Sequence, residues 1–478
     1  MDKNPLYLTN TLSRKKEAFV PLRIGEVKMY NCGPTVYDHQ HIGNLSAAVF
    51  ADILRRTLEY NGYSVKQVMN FTDFGHLTSD ADEGEDKMAV GLKREGLEPT
   101  LENMRSLADT YIASFLEDIK ALNVNSTDTQ FPRASDYIEP QVVLIQTLVE
   151  KDYAYELEDG VYFDTQQFPT YGELGGQSES EQETGARVEA NPDKRDPRDF
   201  VLWKKNPDLG WDSPWGKGFP GWHIECSGMI FALLGRQIDI HTGGIEHIGV
   251  HHNNEIAQSE AATGKKPFSR FWLHRAHIQV EGRKISKSLG NTVYLRQISD
   301  RGFSPLSYRY WLLTSHYSTP ANFTWDALEG AHAALKKLHR YFVDELNVDD
   351  GLVDTQYQEK FTALINDDLN TPKAVALVWE LVKDEDVTPE DKRATLLLFD
   401  SVLGLGLNES KDRLAELLKG GGQKLSISDA PENIQKLVEE REKAREQKDF
   451  ERSDELRQKI KKEGYTIEDT DKGPQLSK

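Results

Sequence analysis

The stretch Val27 to Asn44, VKMYNCGPTVYDHQHIGN, constrains the fold more than any other. A short apolar run at Val27, Met29 and Tyr30 reads as a strand entering a Cys-Gly-Pro turn. After the tetrad His41-Ile42-Gly43-Asn44 a long amphipathic segment begins. Strand, glycine-containing loop and helix in that order leave the first helical N–H groups unpaired at the positive end of the dipole, a geometry suited to phosphate. His41 and Asn44 stand beside that end with side-chain donors. The helix, Leu45 to Tyr60, has Leu45, Val49 and Ile53 on one stripe and Phe50, Leu54 and Leu58 on the next, so it packs on a sheet. Asn61-Gly62 ends it, and Ser64 to Phe71 reads as a second parallel strand. This βαβ unit opens a doubly wound α/β fold whose ligands sit at the carboxyl ends of the strands, where Thr72-Asp73 falls.

With 478 residues the chain has room for roughly three domains. Its first residues lack the apolar core of a signal peptide and no later run is apolar enough to span a bilayer, so a cytoplasmic protein is expected. A net charge of -20 opposes non-specific attraction to polyanions, and any nucleic-acid partner needs a local basic surface. Cys32 and Cys226 are the only cysteines. By spacing alone they are a disulfide, two buried thiols or two ligands of one site.

The acidic run at 74–88 lacks the ligand spacing of a calcium loop and reads as solvated. Helical segments follow at Leu101 to Leu122 and Glu139 to Lys151, then a hairpin over Tyr153 to Thr165 with Asp159-Gly160 at its turn. Gly172 to Asn191 is polar and loop-like. A smaller domain inserted at 135–220 accounts for this region. The main fold resumes at Gly221 with a helix into Leu234, a strand at Gln237 to Ile240, and a strand at Phe271 to Val280 that leads into the basic loop EGRKISKSLGN. Beyond Thr324 the pattern is helical to the end, with Thr371 as an N-cap before Pro372, a linker at Gly420 to Gly422 and a charged helical pair from Pro431 to Gly464.

His251 and Glu255 are four residues apart on one helical face, and with Cys226 and Cys32 they offer imidazole, carboxylate and thiolate, the ligand types of zinc. In order along the chain stand CGPTVYDHQHIG, DKRDPRDFVLWK, GWHIEC, HHNNEIAQS, KISKSLGN, KDFERSDELR and EDTDKG. Over essentially its whole length the chain thereby resembles the cysteinyl-tRNA synthetases of class I.

The resemblance implies an α/β Rossmann-like catalytic domain, an inserted connective domain and an α-helical anticodon-binding region. In this sequence these divide as 1–134 and 221–265 (catalytic halves), 135–220 (insertion), 266–346 (lysine-loop region), 347–420 (helical anticodon-binding domain) and 421–478 (charged helical tail). It implies a ligase that activates L-cysteine with ATP and Mg2+ and transfers it to the 3′ end of tRNA(Cys), as a monomer. One Zn2+ falls on Cys32, Cys226, His251 and Glu255, and Gly33, Thr72, Trp222 and His223 surround the rest of the amino acid. His41, Asn44, Lys284 and Lys287 take the catalytic positions. ATP contacts fall on His41, Asn44, Gly243, Gly244, Glu246, Lys284, Ile285, Ser286, Lys287 and Ser288. Metal ligation of the substrate thiol rejects serine at the binding step, so no editing domain is required.

Some positions depart from the family pattern. Asn44 replaces the second histidine of the class I tetrad, with an amide that still donates, and Glu246 stands where aspartate is common. The acidic run lengthens the segment after Thr72-Asp73, and no tryptophan follows EDTDKG. The alternative is a cysteine ligase of the mycothiol-synthesis type, which uses cysteinyl-adenylate without tRNA and has no need of the helical part after Asn347.

Overall fold

The computed structural model describes residues 4–75, 87–174, 192–286, 289–419, 424–447, 449–470 and 473–477. Strands β1 (Glu26–Asn31), β2 (Ser64–Met69), β3 (Ile238–Gly244) and β4 (Ser269–Arg275) form a parallel sheet in the order β4-β3-β1-β2. β1 pairs with β2 from Glu26 opposite Ser64 to Asn31 opposite Met69, and with β3 from Met29 opposite Ile240 to Asn31 opposite Thr242. Strand order therefore reverses between β1 and β3, and a crevice opens at their carboxyl ends.

Helix α1 (Ile42–Tyr60) crosses from β1 to β2 and starts three residues before the expected Leu45. His41 is its N-cap, with Nδ1 accepting the Asn44 N–H at 3.3 Å, so the tetrad forms the first turn of the helix. The two apolar stripes pack in two cores. Leu45, Val49 and Ile53 join the largest one, while Phe50, Leu54 and Leu58 meet Val27, Met29, Ile240 and Leu273 of the sheet.

The inserted region holds an antiparallel sheet of Ala154–Glu156, Gly160–Phe163, Phe200–Lys205 and Gly218–Pro220. Helix Ile138–Glu150 covers it through Leu144, Ile145 and Leu148 against Phe163 and Trp203. Two helices then complete the floor of the crevice, α2 (Trp222–Leu233) and α3 (His251–Thr263).

Three expectations are corrected. The strand expected over Phe271 to Val280 is two: β4 ends at Arg275, whose guanidinium donates to Tyr317 O at 2.6 Å, and Ile278–Val280 pairs in another sheet with Arg283–Lys284 and Ala321–Phe323. Asn370, not Thr371, precedes the helix Thr371–Lys383 as its N-cap residue. The chain is not helical to its end, because Lys424–Leu425, Thr466–Thr470 and Gly473–Ser477 form a three-stranded sheet. Ile467 and Leu476 of that sheet pack on Ile434, Val438 and Ile460, the apolar face of the charged helices Glu432–Glu446 and Phe450–Lys462.

Most of the acidic run, most of the polar stretch after Gly172, the linker Gly420 to Gly422, Lys287 and Ser288 lie outside the described residues. Among the described residues no helix is long and apolar enough to cross a membrane.

Candidate active site

A cavity of about 340 Å³ fills the crevice. Each strand end contributes to it: Cys32 and Gly33 follow β1, Asn70 and Thr72 follow β2, Gly244 and Glu246 close β3, and Ala276 and His277 follow β4. His41 and Asn44 reach it from the first turn of α1, and Lys284 and Ile285 from the far wall. The turns after β1 and β2 touch. The Gly33 N–H donates to Asn70 Oδ1 at 2.9 Å, and a Cβ on residue 33 would lie 1.7 Å from the Asn70 carbonyl oxygen, so only glycine permits the approach. Because His41 Nδ1 is an acceptor, the neutral ring carries its proton on Nε2.

The floor of the cavity brings together residues far apart in sequence. Ligand atoms of Cys32, Cys226, His251 and Glu255 all lie within 4.8 Å of one another. Cys226 Sγ is 3.7 Å from His251 Nε2, which is 2.9 Å from Glu255 Oε1, and Cys32 Sγ is 3.9 Å from the same carboxylate oxygen. Both cysteines are free thiols, which removes the disulfide reading. Two thiolates, an imidazole and a carboxylate at this spacing fit a tetrahedral metal ion at its usual bond lengths of about 2.0–2.3 Å. His241 and His252 with Cys32 and Glu255 make an overlapping set.

Electrostatics at the floor favour the ligand form at Cys226 and Glu255 and the protonated form at Cys32 and His251, whose protons a metal would have to displace. Hydrogen bonding from Cys32 lowers Cys226 to about 6 against the opposing effect of burial, while burial pushes the Cys32 thiol up. Burial opposes charge on both His251 and Glu255. At His251 the Glu255 charge and Cys226 outweigh it and raise the imidazole to about 10, and at Glu255 the His241 and His251 rings outweigh it and lower the carboxyl to about 2. Around them burial keeps His223, His247, His252 and His274 neutral. These rings form a supporting layer. His241 Nε2 meets Glu255 Oε2 at 2.8 Å, His223 Nδ1 meets His251 Nδ1 at 2.9 Å, and His252 Nδ1 meets His274 Nε2 at 2.8 Å. Such partners fix ring orientation and tautomer at metal sites.

Comparison with known proteins agrees with this geometry. Residues 18–333 match the family model described as the tRNA synthetases class I (C) catalytic domain. Residues 360–408 match the DALR domain, and 428–475 match the cysteinyl-tRNA ligase anticodon binding domain. Cysteine–tRNA ligase 1 of Burkholderia lata is 44% identical, over 99% of this chain and 97% of the relative. The cysteine–tRNA ligase of Treponema denticola is 40% identical, over 97% and 98%. The chain belongs to the cysteinyl-tRNA synthetases.

Solved structures of Mycobacterium tuberculosis methionyl-tRNA synthetase with methionyl-adenylate share the fold of this synthetase at TM-scores of 0.52 and 0.55. They are 14% and 13% identical, covering 83% and 81% of this chain and 93% and 94% of theirs. Matches that extend through both C-terminal parts disfavour the tRNA-independent alternative.

Of the residues expected to meet the amino acid, Gly33, Thr72 and Trp222 line the cavity of the synthetase, and the Trp222 ring lies 4.2 Å from that of His251. His223 does not line it. That residue is buried behind His251, with its Nδ1 facing the His251 ring at 2.9 Å. Among the residues expected to meet the nucleotide, His41, Asn44, Gly244, Glu246, Lys284 and Ile285 line the cavity, whereas Gly243 packs against His247 and His252, and the Ser286 N–H donates to Asn291 Oδ1 at 2.9 Å. Sequence reasoning missed His241, His252 and His274. It also missed Glu225, whose Oε2 accepts from the Thr72 hydroxyl at 2.8 Å. The doubled His251-His252 was the available signal, since two adjacent helical residues point to different layers of one site.

Proposed function

We propose that the cavity carries out both half-reactions of the ligase, with roles for its residues as follows. L-cysteine enters with its side chain toward Cys32, Cys226, His251 and Glu255 and its polar end near Gly33, Thr72 and Trp222. One Zn2+ held by those four residues would supply a soft Lewis-acid centre at which a thiol is kept as thiolate and a serine hydroxyl binds poorly. His223 and His241 orient the ligands His251 and Glu255 from behind. ATP, used with Mg2+, lies across the carboxyl ends of β1 and β3, with its ribose near Gly244 and Glu246.

A carboxylate oxygen of cysteine attacks the α-phosphorus in line, the bond to the bridging oxygen breaks, and pyrophosphate leaves. Charge growing on the phosphate oxygens is met by the Nε2–H of His41, the Asn44 amide and the N-terminus of α1, donors fixed before reaction begins. Lys284 and Lys287 neutralise the leaving pyrophosphate. A terminal hydroxyl of tRNA(Cys) then attacks the adenylate carbonyl, and AMP departs. The helical C-terminal part takes the tRNA body, and we assign the protein to the cytoplasm as a monomer.

One observation carries this reading: two cysteines 194 positions apart meet His251 and Glu255 on the floor of the cavity whose rim holds the His41 tetrad. Cysteine-dependent exchange of labelled pyrophosphate into ATP tests activation, and charging of tRNA tests transfer. Both are expected with cysteine and neither with serine. Exchange without charging would move the assignment to the tRNA-independent ligases.

A further inference from the structure

The break after β4 places a histidine that belongs to none of the motifs. His277 sits between β4 and Ile278–Val280, where its carbonyl accepts the Ala321 N–H at 3.2 Å, so its backbone is held. The side chain, 46% exposed, stands on the wall of the reaction cavity. Its Nδ1 is 3.6 Å from Glu246 Oε2, within ion-pair range and longer than a hydrogen bond. Among the described residues it is the basic side chain within that reach of the carboxylate.

Glu246 itself is bent. Its carboxylate folds back over Gly244, and a Cβ on residue 244 would stand 2.2 Å from Oε1 and 2.4 Å from Oε2. A glutamate has one more rotatable bond than the aspartate common in the family, and a half-exposed carboxylate on that longer stem needs something to hold it. Missing side-chain bulk at Gly244 gives it room on one side, and His277 gives it a partner on the other. The carboxylate thereby stays at the carboxyl end of β3, beside the strand-order reversal where nucleotides bind.

We propose that His277 is a positioning residue for ATP: it holds Glu246 where that carboxylate accepts a ribose hydroxyl hydrogen. This rests on the assignment of the cavity to ATP. An exposed imidazole–carboxylate contact, an ion pair only while the ring carries two protons, contributes little in open water, and the same contact strengthens once a bound nucleotide shields it from solvent. The effect is thus confined to nucleotide binding.

The test is pyrophosphate exchange by the full chain with ATP and cysteine varied separately. His277→Ala is expected to raise the KM for ATP about tenfold, the loss expected for one charge-assisted contact. The KM for cysteine, kcat, zinc content and thermal midpoint stay at wild-type values. Glu246→Gln raises the KM for ATP as well, and the double variant is no worse than Glu246→Gln alone, because His277 acts only through that carboxylate. An unchanged KM for ATP in His277→Ala, additive losses in the double variant, or a parallel rise in the KM for cysteine would each overturn the proposal. Wild-type protein without cysteine-dependent exchange would instead overturn the assignment of the cavity.

Discussion

Cys226 shows how one side chain serves both packing and chemistry. It is 2% exposed on α2, beside Tyr30, Met229 and Ile230 in an apolar core, yet its sulfur faces His251. Cys226→Ser keeps the volume but replaces a soft sulfur ligand with a hydroxyl. Zinc content is expected to fall below half of the wild-type stoichiometry, with the KM for cysteine rising at least tenfold; metal analysis and exchange kinetics on the same preparation check both, and full zinc content would contradict the ligand assignment. His251 and Glu255 were legible as a pair because i and i+4 share a face. Their connection to Cys32 and Cys226 came from the family resemblance, since spacing left the cysteines open. The layer behind them was not legible, because a histidine that orients a ligand has no spacing rule of its own. His223 illustrates the difficulty: it lies three residues from Cys226 in sequence, and only the fold reveals that it faces His251 rather than the substrate.

The elements around α1 explain how the middle of that helix is held. Asp52 and Arg309 are fully buried and paired at 2.5 Å. The same guanidinium donates to Leu403 O at 2.8 Å and to Leu122 O at 3.0 Å, tying α1 to three other segments. Removing Arg309 takes one of two guanidinium partners from the buried Asp52, Arg56 remaining at 2.8 Å, and strips the Leu122 and Leu403 carbonyls of this donor, so Arg309→Met is expected to cost about 3 kcal/mol, measured by chemical denaturation. A loss under about 1 kcal/mol would contradict this anchoring. Helix α4 (Trp325–Asp344) is docked through His332 and His339, whose ring nitrogens meet Ser307 Oγ at 2.9 Å and Ser410 Oγ at 3.0 Å. Burial lowers each from the ordinary 6.5 to about 4. The unfolded chain therefore takes up protons near pH 6.5 that the folded chain refuses until about pH 4, and stability falls as pH drops through that window. The thermal midpoint should decrease from pH 7 to pH 5, and by less in His339→Asn; an equal decrease in the variant would contradict the assignment. Long periodic helices such as α1 were legible. The split near His277 was readable only as a change of parity, from Phe271 and Leu273 to Ile278 and Val280, across the polar His274, Arg275 and His277. The terminal strands escaped notice because Thr466–Thr470 is polar apart from Ile467.

At the scale of the molecule, a chain of net charge -20 must bind a polyanion through local surfaces. The last unit has its own small core around Ile434, Val438, Ile460 and Leu476 and meets α4 through Lys461, which pairs with Asp326 and Glu329. Its Lys459, Lys461 and Lys462 sit together in one helical turn. Affinity for tRNA is expected to fall at least tenfold between about 50 and 200 mM salt, followed by filter binding, and salt-insensitive binding would contradict phosphate contact. The first βαβ unit and the helices after Thr324 were legible because each repeats a simple period over many residues, whereas the strand order was not. The meeting of Cys32 with Cys226 depends on the assembled sheet, in which β1 and β3 are neighbours although about two hundred residues separate them, and on α2, which carries Cys226 just before β3. The most direct test of that convergence is the sulfur count around zinc, read by X-ray absorption at the zinc edge on the purified protein. The account predicts one zinc per chain with two sulfur ligands, rising to three on addition of cysteine and unchanged by serine; a count that cysteine does not alter, or a protein that holds no zinc, would contradict it.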